Sequence, residues 1–241
     1  MLKAVILAAG KGTRMESELP KVLHQVLGRP MVSYVIDAAR QAGAEQICLV
    51  VGHQAELVRE TVGDGVKYVL QEQQLGTGHA VICARDFIGD EGDVLILCGD
   101  TPLIQGSTLK KMVDVHCTSG NGATVLSTVL EDAAGYGRIV RNEDGAFIKN
   151  VEQKDASPEE QEVKEVNSGM YIFRAEALQE GLDSLTNDNA QGEYYLPDVL
   201  SFINCQGRLK VDAMVTDQRD DIRGVNTKQQ LYEAEEIMKR R

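Results

Sequence analysis

Apolar residues along this chain come in two patterns that take turns: short continuous runs, and stretches in which apolar positions repeat about every 3.6 residues. Residues 3–7 form the first continuous run and predict a buried strand. A helix is expected over 31–42, with Met31, Val32, Val35, Ala38, Ala39 and Ala42 on one side and Gly43 as its stop. The alternation continues with a strand at 46–51, a helix at 55–62, a strand at 66–70, a helix at 78–86 and a strand at 94–98. Ser107 then reads as the N-cap of a helix to 116, and 123–129 as a further strand. Strands alternating with helices imply a mostly parallel sheet covered on both faces.

Beyond residue 130 the pattern loosens. Short alternating strands at 137–141, 146–151 and 166–173 are separated by Asn142-Glu143-Asp144-Gly145 and by the charged stretch 154–165. They predict a small β-rich lobe folded over the sheet. Helices are expected again at 174–182, 194–203 and 227–241, with a strand at 209–215. Lys239, Arg240 and Arg241 in the last turn favour the helix dipole. No internal repeat, low-complexity segment or linker interrupts the 241 residues, so the expectation is one large α/β domain or a domain plus a small lobe.

Composition narrows the class. An apolar content of 43% can fill a core, and no run reaches the roughly 18 residues of a membrane span. No n-region followed by a long h-region opens the chain, which reads as cytoplasmic without membrane insertion. The five cysteines are scattered without CxxC spacing and read as small residues in a reducing compartment. The net charge of −12 argues against a nucleic-acid surface. Residues 1–30 nevertheless carry five basic against two acidic side chains, a local +3 that leaves the remainder at −15. Such a pocket suits a small polyanion.

The chemistry concentrates where the first strand ends. Ala4-Val5-Ile6-Leu7-Ala8-Ala9-Gly10-Lys11-Gly12-Thr13-Arg14-Met15 leads to Pro20-Lys21, so a buried strand opens into a glycine-spaced basic loop. Glycines let backbone amides approach phosphate oxygens, and Lys11, Arg14 and Lys21 neutralise the remaining charge. Neither GxxxxGK[ST] nor GxGxxG fits, and Pro20 disfavours helix at Leu19, so an extended basic loop is expected up to Lys21. A second signal is the apolar strand that delivers Asp100 ahead of Thr101-Pro102; an aspartate there either caps a turn or binds a hard cation such as Mg²⁺ together with substrate phosphates. The third is Leu75-Gly76-Thr77-Gly78-His79-Ala80 after Gln71, a helix start with free amides and a side chain able to pair with a base edge. His24, His53, His79 and His116 have no metal-like spacing, and no nucleophile has a neighbouring base. A reaction whose nucleophile is already a phosphate anion needs neither.

These segments, taken together, resemble the nucleotide-sugar pyrophosphorylases, and within them the uridylyltransferase domain of the bacterial bifunctional N-acetylglucosamine-1-phosphate uridyltransferases. The resemblance rests on Leu7 to Met15, Leu19-Pro20-Lys21-Val22-Leu23-His24, Gln71 with Gln74 to Ala80, and Gly99 to Leu103. It extends through Gly135-Tyr136-Gly137-Arg138-Ile139, Val151-Glu152-Gln153-Lys154-Asp155, Glu165 to Gly169, Gly192-Glu193-Tyr194-Tyr195-Leu196-Pro197-Asp198 and Gly224-Val225-Asn226, almost the whole chain in order. It implies a Rossmann-like nucleotidyltransferase fold over residues 1–241, with a nucleotide-binding part at about 1–130 and a sugar-binding lobe with C-terminal helices at 131–241.

The implied activity is transfer of UMP from UTP to N-acetylglucosamine 1-phosphate, assisted by Mg²⁺, releasing pyrophosphate; it would feed cell-wall precursor synthesis. By the same resemblance Leu7, Ala8, Ala9 and Gly10 hold the uridine and phosphates, and Gln71, Gly76 and Thr77 the uracil. Cys98, Gly99 and Asp100 take the ribose side and the metal, with Asn226 as the second metal ligand. Gly137, Glu152 and Asn167 bind the sugar, and Arg14 and Lys21 are the catalytic phosphate contacts. A sister enzyme acting on glucose 1-phosphate and a non-catalytic nucleotide-sugar sensor are the alternatives. The family's hexapeptide-repeat β-helix has no counterpart in these residues, so neither acetyl transfer nor its trimer is expected of them; they imply a monomer or weak dimer.

Overall fold

The computed structural model describes residues 1–241. In chain order its elements are β1 (Leu2–Ala8), the short hairpin β2 (Gln25–Val26) and β3 (Arg29–Pro30), α1 (Met31–Gln41), β4 (Gln46–Val51), α2 (Ala55–Val62) and β5 (Lys67–Leu70). Next come α3 (Thr77–Cys83), α4 (Arg85–Ile88), β6 (Asp93–Cys98), α5 (Gly106–Ser119) and β7 (Ala123–Val129). The second half holds β8 (Arg138–Arg141), β9 (Phe147–Val151), α6 (Pro158–Gln161), β10 (Glu165–Arg174) and α7 (Ala175–Leu182). It closes with α8 (Asp198–Gln206), β11 (Val211–Val215) and α9 (Lys228–Met238).

The main sheet runs β11-β7-β10-β6-β1-β4-β5. Only β10 opposes its neighbours; β6, β1, β4 and β5 are parallel, as are β7 and β11. The continuous apolar runs are explained by burial on both sides. Ala4, Ile6, Leu95 and Leu97 point to the face covered by Val35 and Ala39 of α1, Val58 of α2 and Met112 of α5. Val5, Val94 and Ile96 point to the opposite face, covered by Val81 of α3, Leu178 of α7 and Leu200 of α8. Each Val, Leu, Ile or Met side chain among them contributes roughly 1.5–3 kcal/mol on full burial, so a one-residue register slip, which would exchange two complete sets, is strongly disfavoured. No helix is long and apolar enough to cross a membrane.

Four local expectations are corrected. The strand expected at 166–173 is not in a separate lobe: β10 lies inside the sheet, antiparallel to both β6 and β7, while β8 and β9 form the hairpin that projects from it through the Val166–Arg138 pair. The helix expected from Ser107 starts at Gly106 with Gln105 as its cap and no side-chain cap, because Gln105 is extended and its amide reaches Asp221 instead. The helix expected over 78–86 breaks at Ala84, whose φ of −90° and ψ of 7° end α3 before α4 begins. The helix expected over 194–203 starts only at Asp198, since the backbone of Tyr194 is tied to the start of α3, its amide donating to the Leu75 carbonyl and its carbonyl accepting from the Gly78 amide. Within the charged stretch, Ser157 and Glu160 build a reciprocal capping box that starts α6.

Candidate active site

Parallel pairing brings the carboxyl ends of β1, β4 and β6 to one edge, with Leu7 opposite both Val50 and Cys98. A cavity of about 300 Å³ lies on that edge. Ten of the eleven residues expected to bind nucleotide line it: Leu7 to Gly10 from the loop after β1, Lys21, Gln71, Gly76 and Thr77 before and in α3, and Cys98 and Asp100 after β6. Gly99 does not; its amide donates to the Leu7 carbonyl at 2.9 Å and so ties the two strand ends together. Val22, Gln74, Ala80 and Glu193 also line the cavity without having been singled out. All four belong to segments on which the sequence resemblance rested, so the signal was there at the level of the motif.

Two glycines are required by the approach of the chain to itself. Gly12 has φ +63°, and a Cβ there would sit 2.6 Å from Cβ of Lys21, so only glycine lets the basic loop fold back and bring Lys21 to the cavity. Gly76 has φ +107°, and a Cβ would fall 2.6 Å from the Tyr194 carbonyl oxygen. The segment from Gly192 to Asp198 is thereby pressed on the start of α3, where Thr77 Oγ1 accepts from the Leu196 amide at 3.1 Å. Between Gly12 and Lys21 the basic loop is not wholly extended, as a 3₁₀ turn forms at Thr13–Met15.

Asp100 and Asn226 are far apart in sequence and meet here. The Val225 amide donates to the Asp100 carbonyl at 2.9 Å, docking the loop before α9 on the end of β6. Lys21 Nζ then lies between the two side chains, paired with Asp100 Oδ2 and donating to Asn226 Oδ1 at 3.0 Å. Arg14 Nη2 donates to the same Asn226 Oδ1 at 2.9 Å, although the Arg14 side chain is exposed and outside the cavity lining. A carboxylate and an amide oxygen thus converge on one cation, and the Lys21 ammonium stands where they meet. Two hard oxygens of this kind suit Mg²⁺, which takes few protein ligands and fills its other positions with phosphates and water.

The three expected sugar contacts form a cluster of their own beside the cavity. The Asn167 amide donates to the Gly137 carbonyl at 2.9 Å, and a Cβ on Gly137 would lie 3.0 Å from Glu152 Oε1. Asn167 Nδ2 donates to the Tyr171 hydroxyl at 2.7 Å while its Oδ1 accepts from the Gly169 amide at 2.9 Å. Cys98 Sγ, 3.4 Å from the Gly169 carbonyl, joins this cluster to the nucleotide side. Burial pushes the Glu152 carboxyl above its ordinary range; Asn150, donating to Oε1 at 3.2 Å, works against that shift, and the charges of Asp198 and Asp155 add to it. Burial pushes the Cys98 thiol up to about 12, so it is a neutral packing group rather than a nucleophile.

Residues 3–237 match the nucleotidyl transferase family along nearly the whole chain. The chain belongs to that family. Among curated relatives of this nucleotidyl transferase, "Bifunctional protein GlmU" of Caldanaerobacter subterraneus subsp. tengcongensis is 52% identical over 240 residues, and that of Clostridioides difficile 46% over 239. A third, from Bacillus cereus, is 50% identical over 239. The matches cover 99–100% of this chain but 52% of each relative, so the chain spans about half the length of the curated relatives it matches. A solved structure described as UDP-glucose pyrophosphorylase complexed with UDP-glucose superposes with a TM-score of 0.81 over the full length of both chains, at 21% identity. That likeness establishes the nucleotidyltransferase fold: a mostly parallel sheet with helices on both faces.

Proposed function

We propose that this nucleotidyl transferase joins UTP and N-acetylglucosamine 1-phosphate into UDP-N-acetylglucosamine and pyrophosphate. The observation that carries the reading is the convergence of Lys21, Asp100 and Asn226 in and beside the cavity at the strand ends, where Ala8, Ala9 and Gly10 form one wall. The roughly 50% identity to the GlmU relatives favours the N-acetylated sugar over glucose 1-phosphate. A cytoplasmic setting accords with five free cysteines.

In the reaction a phosphate oxygen of the sugar phosphate attacks the α-phosphorus of UTP in line. The new bond is oxygen to α-phosphorus; the bond broken joins that phosphorus to the bridging oxygen, which leaves with pyrophosphate. No proton has to move, so the absence of a base beside a nucleophile is no obstacle. The small side chains of Ala8, Ala9 and Gly10 leave room for the triphosphate against the loop, and Lys21 and Arg14 offset charge on its oxygens. Asp100 and Asn226 would hold Mg²⁺, which when bound supplies further charge neutralisation at the phosphates. Lys21, paired with Asp100 in this structure, would then turn to the phosphates. Beside the cavity, Glu152, Asn167 and the Gly137 backbone would receive the sugar.

The test is pyrophosphate release with UTP and Mg²⁺, comparing N-acetylglucosamine 1-phosphate, glucosamine 1-phosphate and glucose 1-phosphate. The N-acetylated substrate is expected to lead in kcat/KM by on the order of tenfold or more, since its amide adds hydrogen bonds that the others lack. Preference for glucose 1-phosphate would indicate the sister reaction. No release with any of the three would indicate a sensor.

A further inference from the structure

Gln71 and His79 form a hydrogen-bond chain whose direction is set by a backbone carbonyl. Gln71 Nε2 lies 3.3 Å from the Gly76 carbonyl oxygen and 3.0 Å from His79 Nδ1. A carbonyl oxygen can only accept, so it is the amide nitrogen of Gln71 that faces it. The second N–H of that nitrogen is then directed at His79, whose Nδ1 must be the unprotonated ring nitrogen. The ring proton sits on Nε2, 3.9 Å from Cys83 Sγ, a weak acceptor. The His79 ring also packs against the ring of Tyr194, with centroids 6.4 Å apart.

Both donors of the Gln71 amide are therefore engaged inside the protein, and the residue as a whole is only 3% exposed. Its Oε1 accepts from no protein group and is not among the buried polar atoms lacking a partner. That oxygen opens to the cavity which Gln71 lines. A glutamine free to rotate could offer a base either a donor or an acceptor. This one offers an acceptor only.

We propose that His79 is a positioning residue for base selection: by accepting from Gln71 it locks the amide so that an oxygen, never an N–H, meets the ring edge of the base. A pyrimidine with an imino proton at N3, as in uracil, satisfies that oxygen; cytosine, with a lone pair at N3, confronts it with a second acceptor. The inference rests on the uridylyltransferase reading above and adds to it the source of discrimination against CTP. His79 touches neither substrate nor metal and acts only through Gln71.

The experiment measures kcat/KM for pyrophosphate release with UTP, CTP and UTP methylated at N3, each with N-acetylglucosamine 1-phosphate and Mg²⁺. The wild type should favour UTP over both analogues by on the order of 10²-fold or more, because each analogue leaves the Gln71 oxygen without its donor. In His79→Leu the ratio of UTP to CTP should fall roughly tenfold, about the worth of one orienting hydrogen bond. In His79→Asn, where Oδ1 can accept near the position of Nδ1, the ratio should stay within about threefold of wild type. An unchanged ratio in His79→Leu, equal losses in both variants, or wild-type use of N3-methylated UTP as efficient as that of UTP would each overturn the proposal. The last comparison needs no variant and tests the acceptor orientation of Gln71 by itself, while His79→Asn against wild type keeps the role of His79 testable even if His79→Leu fails to fold. A wild type that favoured UTP but kept its ratio in His79→Leu would remove the role of His79 alone, whereas a wild type unable to use UTP would remove the uridylyltransferase reading and this inference with it.

Discussion

Asp100 and Glu152 are both carboxylates near the candidate site, and only Asp100 is paired with a cation. Asp100 has the Lys21 ammonium against it and a second oxygen, Asn226 Oδ1, sharing that cation. Replacing its charge in Asp100→Asn is expected to lower kcat by roughly 10²-fold, since the carboxylate proposed to hold Mg²⁺ at the phosphates is gone. Lys21 keeps its bond to Asn226, so thermal unfolding should stay close to wild type; Mg²⁺-dependent turnover within a few-fold of wild type would return Asp100 to a turn-capping role. Glu152 has no cation partner, and burial raises its pKa above the ordinary value of 4.5. The folded protein therefore holds that proton more tightly than the unfolded chain. The resulting stability is fully present below pH 4.5 and is lost as pH rises through the raised value. Glu152→Gln should accordingly raise the melting temperature by a few degrees at neutral pH and by nothing in acid, while KM for the sugar phosphate increases. A variant no more stable than wild type at neutral pH would contradict the electrostatic half of this argument.

At the scale of elements, the strands of the parallel sheet were legible because burial on both faces writes them as unbroken apolar runs; β4 and β7 fall on the predicted 46–51 and 123–129. What sequence alone missed was decided by tertiary contacts. The start of α8 depends on Tyr194 pairing with Leu75, and the place of β10 depends on which strands it joins, neither of which periodicity encodes. The site shows the same division. Its glycine-spaced loops were visible as motifs and the resemblance paired Asp100 with Asn226, whereas the Lys21 ammonium between those two side chains and the hydrogen bond of Gln71 to His79 exist only in three dimensions. The junction of α3 with the Gly192 to Asp198 segment offers a direct test. Gly76→Ala would place a methyl group 2.6 Å from the Tyr194 carbonyl at a φ of +107°. It should destabilise the protein by on the order of 1–3 kcal/mol and raise KM for UTP more than KM for the sugar phosphate. Equal changes in both constants would show that the junction does not belong to the nucleotide side.

At the scale of the whole molecule, the position of Asn226 is maintained from a distance. Asp221, fully buried, accepts from Thr108 Oγ1 at 2.6 Å and Gln105 Nε2 at 3.1 Å in the first turns of α5, and from Arg241 Nη2 at 2.9 Å beyond α9. The 3₁₀ turn at Arg219–Ile222 is thus pinned to the helix layer on one side, and α9 is pinned to the same carboxylate on the other. Between these two anchors runs Gly224-Val225-Asn226, so Asp221 sets the frame in which Asn226 reaches Asp100. Asp221→Ala leaves Thr108 and Gln105 without their acceptor and Arg241 without its partner. It should therefore destabilise the protein by about 2–3 kcal/mol, a fall in melting temperature of roughly 4–12 °C. Displacement of the loop by a fraction of an ångström should also reduce kcat on the order of tenfold, well below the melting temperature, and raise the Mg²⁺ concentration needed for half-maximal rate. A purely structural role would lower the melting temperature and leave both kcat and the Mg²⁺ requirement at wild-type values, and that result would break the proposed link between the buried carboxylate and the metal-side loop.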